Sequence, residues 1–174
     1  MTRLFVAVWP PREVLAALRR IPRPDEPGVR WVAPERWHIT LKFFGDADRG
    51  EVEAGLGAVE LPAARAAVGP AVGRLGPSVV VLPVQGLDRL AGAVHEATEG
   101  IGSFADPRPF AGHLTLARLR GASCATEQTP FETSFDVREI ALMSSINTSR
   151  CAHYETLATW PVPTNPSPSG SSRP

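Results

Sequence analysis

His38-Ile39-Thr40-Leu41 and His113-Leu114-Thr115-Leu116 are one pattern written twice, and they hold two of the chain's four histidines. By ordinary residue frequencies that coincidence is on the order of one in several thousand. In a β-strand alternate side chains share a face. Each copy therefore presents an imidazole and a hydroxyl on one side and turns Ile39/Leu41 or Leu114/Leu116 to the other. Two such faces brought together make a pocket with two acid–base groups and two hydroxyl donors. Those parts suffice to hydrolyse a phosphodiester without a metal. The competing reading is a pair of similar strands whose histidines are merely satisfied at their ends.

Around the first copy, Trp37, Ile39, Leu41 and Phe43 share one parity, and His38, Thr40, Lys42 and Phe44 share the other. Strict alternation thus places Lys42, the only lysine, and Phe44 beside the histidine, with Gly45-Asp46 ending the strand. Lys42 is then either a phosphate-side charge or part of a solvated face. Around the second copy, Arg118 falls on the Leu114/Leu116 parity. It reaches the pocket only if the strand bulges, twists or ends; otherwise it forms a salt bridge at the strand end. Phe44 and Tyr154, the only tyrosine, are candidates to stack on a base or to pack in the core. His95, within a helical stretch beside Glu96, reads as a solvated helix residue, and His153, which lacks the threonine partner, reads as structural.

The remaining elements follow from periodicity and turn residues. Residues 4–9 read as a strand; Pro10-Pro11 opens a helix through Val14, Leu15, Leu18 and Ile21. A second helix is expected over 49–59 and a third over 87–101. Strands are expected at 30–32, at 79–82 with its end near Pro83, at 113–119, as one or two strands within 131–143, and at 150–160. Residues 63–77, rich in Ala, Gly and Pro, yield no assignment. After Trp160 the composition shifts to Pro, Ser and Gly, which predicts one domain over 1–160 and a disordered tail over 161–174. The fold class is α+β.

Bulk properties narrow the function. A chain of 174 residues with 43% hydrophobic residues supports a real core. Zero formal net charge argues against coating nucleic acid by bulk charge, yet leaves room for binding one phosphorylated end. No apolar run is long enough for a membrane helix, and the start of the chain lacks a signal-peptide pattern. Cys124 and Cys151 match no zinc spacing and are expected as reduced thiols in a cytoplasm. No helical stripe demands a partner, so a monomer is expected.

Trp31-Val32, residues 38–45, Pro109-Phe110, residues 113–118 and the late Tyr154-Glu155 together resemble the 2H phosphoesterase superfamily, and within it the RNA 2′,3′-cyclic phosphodiesterases, also called 2′-5′ RNA ligases. The resemblance runs from about residue 4 to residue 160. It implies a bilobed α+β fold, two antiparallel sheets facing across a central cleft with helices outside, and one motif from each lobe in the cleft. It also implies His38 as proton donor, His113 as proton acceptor, and Thr40 and Thr115 as phosphate-binding hydroxyls. One departure is Gly112, where proline commonly precedes the second motif.

The chemistry fits these residue types. Hydrolysing a cyclic phosphate requires a base for the attacking water and an acid for the leaving oxygen, both near neutral pKa. Fixed hydroxyl donors on the phosphoryl oxygens stabilise the transition state. Two histidines without clustered carboxylates make a poor metal site, so neither a metal nor a cofactor is expected. The expected substrates are RNA 3′ ends or small cyclic phosphates, with reverse 2′-5′ ligation as a minor activity. A non-catalytic RNA- or nucleotide-binding module that keeps the cleft is the alternative.

Overall fold

The two motif strands lie side by side at the centre of the molecule. The structure, a computed structural model, describes residues 2–104, 108–121, 123–147 and 152–164. Its elements in chain order are β1 (Thr2–Val8), α1 (Arg12–Leu18), β2 (Val29–Trp31), a 3-10 turn at Pro34–Arg36, β3 (Ile39–Ala47), α2 (Arg49–Gly57), β4 (Arg65–Val68), β5 (Gly73–Leu75), β6 (Val79–Gln85), α3 (Asp88–Ala97), β7 (His113–Leu119), β8 (Thr133–Asp136), β9 (Glu139–Asn147) and β10 (Ala152–Pro161). The strands run in the order β10-β9-β1-β3-β7-β6-β4-β8, with β2 on β7 and β5 on β6.

All recorded pairings are antiparallel, and β3 meets β7 at a single residue pair, Ile39↔Leu114. The α+β sheet therefore consists of two antiparallel halves hinged at the motifs. One core face gathers Leu4, Val6 and Val8 of β1 with Ile39, Leu114, Val80, Leu82 and the inner residues of the helices. On the opposite face Phe5, Ala7, Ala141 and Met143 form a second cluster with Trp9 and Tyr154. Burial on both faces explains why β1 reads as a continuous apolar run rather than an alternation.

Helix ends follow local chemistry. Asp48 caps α2 by accepting from the Glu51 amide at 3.0 Å. In α3, Leu90, Ala91 and Val94 are buried, and the helix stops at Ala97 rather than continuing to 101. Buried Thr98 turns its hydroxyl back onto the Val94 carbonyl at 2.6 Å. The helix α1 also ends earlier than the spacing predicts, at Leu18, although Ile21 remains buried.

Three strand expectations need correction. Gly45-Asp46 does not end β3: Gly45 has φ of 68°, which lets the strand bend and continue to Ala47. Pro83 does not end β6, which runs to Gln85 while the Pro83 carbonyl accepts from the Gly69 amide. The unassigned stretch holds β4 and β5: β4 pairs with the distant β6 and β8, and β5 forms a tight hairpin with β6. Past Trp160, β10 includes Pro161, and Val162 is buried with its amide on the Arg138 carbonyl. The packed chain thus extends beyond the expected boundary, and residues 165–174 of the expected tail lie outside the described residues.

Candidate active site

Both imidazoles are held by the same local device. The Nδ1–H of His38 donates to the Arg36 carbonyl at 2.7 Å, and the Nδ1–H of His113 donates to the Ala111 carbonyl at 2.7 Å. A carbonyl only accepts, so each ring carries its hydrogen on Nδ1 when neutral and keeps Nε2 for chemistry. His38 directly precedes β3, anchored by buried Trp37, and His113 opens β7. Both histidines line one cleft of about 500 Å³, together with Thr40 and Thr115.

The environments of the two rings differ. His38 packs against Phe5, Trp9 and Tyr154 with ring centroids 5.1, 5.5 and 5.3 Å away. That burial pushes its pKa below the ordinary histidine value. The hydrogen bond to the Arg36 carbonyl pulls the other way, and positive charge on His113 lowers it further.

A β-bulge falls on the motif leucine in each half. Along β1, Ala7 pairs Thr40 and Val6 pairs Lys42, leaving Leu41 as the extra residue. Along β6, Val81 pairs Thr115 and Val80 pairs Ala117, leaving Leu116 as the extra residue. Both leucines sink into the core, at 2% and 1% exposure. A bulge inverts the parity that follows it. The cleft face therefore reads His38, Thr40, Phe43 in one half and His113, Thr115, Arg118 in the other, and all six line the cleft. A second shift in β3 leaves Phe44 unpaired between Phe43 and Gly45.

Similarity to known proteins agrees with this geometry. A family model for LigT-like phosphoesterases matches residues 8–69. An RNA 2′,3′-cyclic phosphodiesterase of Geobacillus stearothermophilus is 33% identical over 155 residues, covering 76% of this chain and 47% of the relative. The chain thus spans about half the length of that curated relative. A crystal structure of Escherichia coli LigT complexed with 3′-AMP is 31% identical, covers 92% of this chain and 98% of that one, and superposes with a TM-score of 0.76. The chain belongs to the LigT-like phosphoesterase family. A Thermus thermophilus protein of known structure is 27% identical, covers 92% of this chain and 97% of that one, and has a TM-score of 0.75.

Two residues expected beside the histidines of this LigT-like phosphoesterase lie elsewhere. The Leu41 bulge turns Lys42 toward α3, where its ammonium donates to the Thr98 carbonyl at 2.7 Å and hydroxyl at 2.9 Å. The second shift drops Phe44 into the core at 0% exposure, with the Lys42 ammonium 5.0 Å from its ring. Phe43, 38% exposed, takes the cleft position assigned to Phe44. Arg118 reaches the cleft by the bulge route, and Tyr154 lines it while packing edge-on to His38. His95, expected as a solvated helix residue, donates from Nε2 to the Leu41 carbonyl at 3.2 Å. His153 has no described side chain.

Gly112 also has a steric reason in this phosphoesterase. A Cβ there would stand 2.4 Å from the Val84 carbonyl oxygen, so the chain approaches β6 too closely for any larger residue. Sequence reasoning missed Phe5 and Trp9 as His38 neighbours, and Arg30 and Arg36 as cleft residues. The continuous apolar run of 4–9, apolar on both parities, held a signal for Phe5. Nothing local signalled Arg30, whose position depends on β2 pairing with β7. Beside the cleft runs a groove of about 620 Å³ that shares Thr40, Phe43 and His113 and adds Leu75, Phe104 and Phe110. No helix among the described residues is long and apolar enough to cross a membrane.

Proposed function

We infer that the protein is an RNA 2′,3′-cyclic phosphodiesterase that yields 2′-phosphomonoesters by metal-independent acid–base catalysis. The observation that carries this reading is the pair of identically locked imidazoles, each presenting Nε2 to one cleft beside a threonine hydroxyl. Nε2 of neutral His113 takes a proton from water as the water oxygen bonds to phosphorus. The bond from phosphorus to the 3′ oxygen breaks, and that oxygen receives the proton from Nε2 of His38. The Thr40 and Thr115 hydroxyls donate to the non-bridging oxygens. Proton exchange with solvent restores the starting state.

The lowered pKa of His38 works against an acid in the free protein. A bound phosphate anion works the other way, because a nearby negative charge favours the imidazolium. The π faces around His38 also favour the cation. The exposed rings of Phe43 and Phe104, in edge contact at 5.4 Å, fit the base of the reacting nucleotide. The setting that fits this reading is a cytoplasmic monomer acting on RNA 3′ ends or small cyclic phosphates, with 2′-5′ ligation as the minor reverse reaction.

The test is a short RNA ending in a 2′,3′-cyclic phosphate, incubated with excess EDTA and either wild type, His38→Ala or His113→Ala. A 2′-phosphate formed by wild type, with each variant slower by about 10²- to 10⁴-fold, is the expected result. Tight binding without turnover by wild type would instead make the protein a binding module.

A further inference from the structure

Each bulged motif leucine has its carbonyl oxygen held from outside the motif strand. In the second half the Leu116 carbonyl accepts from the Val32 backbone amide at 2.8 Å. Val32 directly follows β2, whose Trp31 pairs Ala117. In the first half the Leu41 carbonyl accepts from Nε2 of His95 on α3 at 3.2 Å. Corresponding carbonyls of the two half-sites are thus met by a main-chain donor in one and by a side chain in the other. A carbonyl only accepts, so neutral His95 carries its hydrogen on Nε2, the reverse of His38 and His113. Although His95 is exposed as a residue, this nitrogen is committed to β3.

The sheet explains why the first half needs a side chain. The strand β3 meets β7 only at Ile39↔Leu114, and past that pair no strand among the described residues continues along this edge of β3. The apolar groove opens there, lined by residues 40–43 and His95. Helix α3 and the segment after it cover the edge in place of a strand. The Lys42 ammonium bonds Thr98, the Phe104 amide donates to the Phe44 carbonyl at 3.0 Å, and the Ser103 amide donates to the Asp46 carbonyl at 3.0 Å. Those contacts lie beyond the bulge, whereas His95 holds the bulged residue itself. A bulge interrupts the ladder, and a slip of one residue sends the side chains that follow to the other face. Thr40 directly precedes the bulge and Phe43 follows it, and both line the cleft. We propose that His95 is a positioning residue for the first half-site: by holding the Leu41 carbonyl it fixes the bulge and so aims the Thr40 hydroxyl at the reacting phosphate. This rests on the cyclic phosphodiesterase reading and deepens it. His95 acts through the backbone and takes no part in proton transfer.

The tautomer is tested on wild type by ¹⁵N NMR of the imidazoles in their neutral form. His95 is expected with its hydrogen on Nε2, and His38 and His113 with theirs on Nδ1. A neutral His95 ring with its hydrogen on Nδ1 overturns the proposal, and this needs no variant to fold. Kinetics on an RNA 2′,3′-cyclic phosphate then compare His95→Leu, which deletes the donor, with His95→Gln, whose amide can reach the same oxygen. His95→Leu is expected to lower kcat about five- to tenfold, the scale of one hydrogen bond, and His95→Gln to recover most of that loss. Double variants separate positioning from plain loss of stability. In a Thr40→Val background His95→Leu is expected to cost less than about twofold, because the hydroxyl it aims is gone. In a Thr115→Val background the full five- to tenfold loss is expected to remain. Equal losses in the two backgrounds, or full activity of His95→Leu, overturn the proposal. Absence of turnover by wild type overturns the phosphodiesterase reading alone. The same cycle measured by calorimetry with adenosine 2′-monophosphate then upholds the positioning role by coupling to Thr40, or overturns it by the lack of that coupling.

Discussion

The half-site of His38 and the half-site of His113 are built alike and furnished differently. Each has a histidine locked through Nδ1 to the carbonyl two residues back, a threonine two residues on, and a bulged leucine after that. Five residues past the histidine one half presents Phe43 and the other Arg118. One imidazole sits among three aromatic rings, whereas the other is more open to solvent. The repeated tetrapeptide fixes where the reacting groups stand. The flanking strands decide how each imidazole holds its proton and what part of a substrate lies beside it.

Removing a hydroxyl tests the likeness of the two halves. Thr40→Val and Thr115→Val each keep the β-branched shape and delete one donor. Each is expected to lower kcat by about 10²-fold or more, with the double variant showing non-additivity. A loss in one half only would show that the phosphate is held asymmetrically. Deleting the buried motif leucines probes the bulges instead. Leu41→Ala and Leu116→Ala are expected to cost about 2–5 kcal/mol of stability in denaturant melts, since each leaves a cavity beneath its bulge.

The unlike surroundings of the histidines have a pH signature. Because burial lowers the His38 pKa, the unfolded chain binds a proton there more readily than the folded one. The contribution of this group to stability is therefore full above the unfolded value of about 6.5. It is lost as pH falls through the folded pKa. His38→Gln is expected to flatten this part of the stability–pH curve measured by thermal melts. Trp9→Ala, which opens one wall of the enclosure, is expected to raise the His38 titration midpoint seen by NMR. An unchanged midpoint would break the account of why the halves differ. The smallest effect is expected for Lys42→Met, with kcat within about threefold of wild type. Its stability loss, about 1 kcal/mol, reflects the lost helix-terminal contacts.

The legible part of the molecule is what local pattern dictates. The second motif strand starts and stops where the sequence places it, at His113 and Leu119, and both histidine–threonine pairs share the expected cleft. The strand β1 and the helix that starts at Arg49 were equally readable, although that helix ends at Gly57, two residues before the expected bound. A bulge, however, is a relation between two strands, and no single strand announces it. For that reason strict alternation misplaced Lys42 and Phe44 and left Arg118 undecided. The strands β4 and β5 lack the β-branched density that marks β6; β4 depends on distant partners, and β5 on a hairpin return to β6. Arg30 became a cleft residue only when β2 found β7.

The division of labour between the two imidazoles is the claim on which the rest depends. The most direct measurement is the pH dependence of kcat/KM on an RNA 2′,3′-cyclic phosphate for wild type, His38→Ala and His113→Ala. A bell is predicted for wild type, because turnover requires His38 protonated and His113 neutral at the same time. Residual activity is predicted to lose the falling limb in His38→Ala and the rising limb in His113→Ala. A flat wild-type profile, or variants that lose the opposite limbs, would contradict the account.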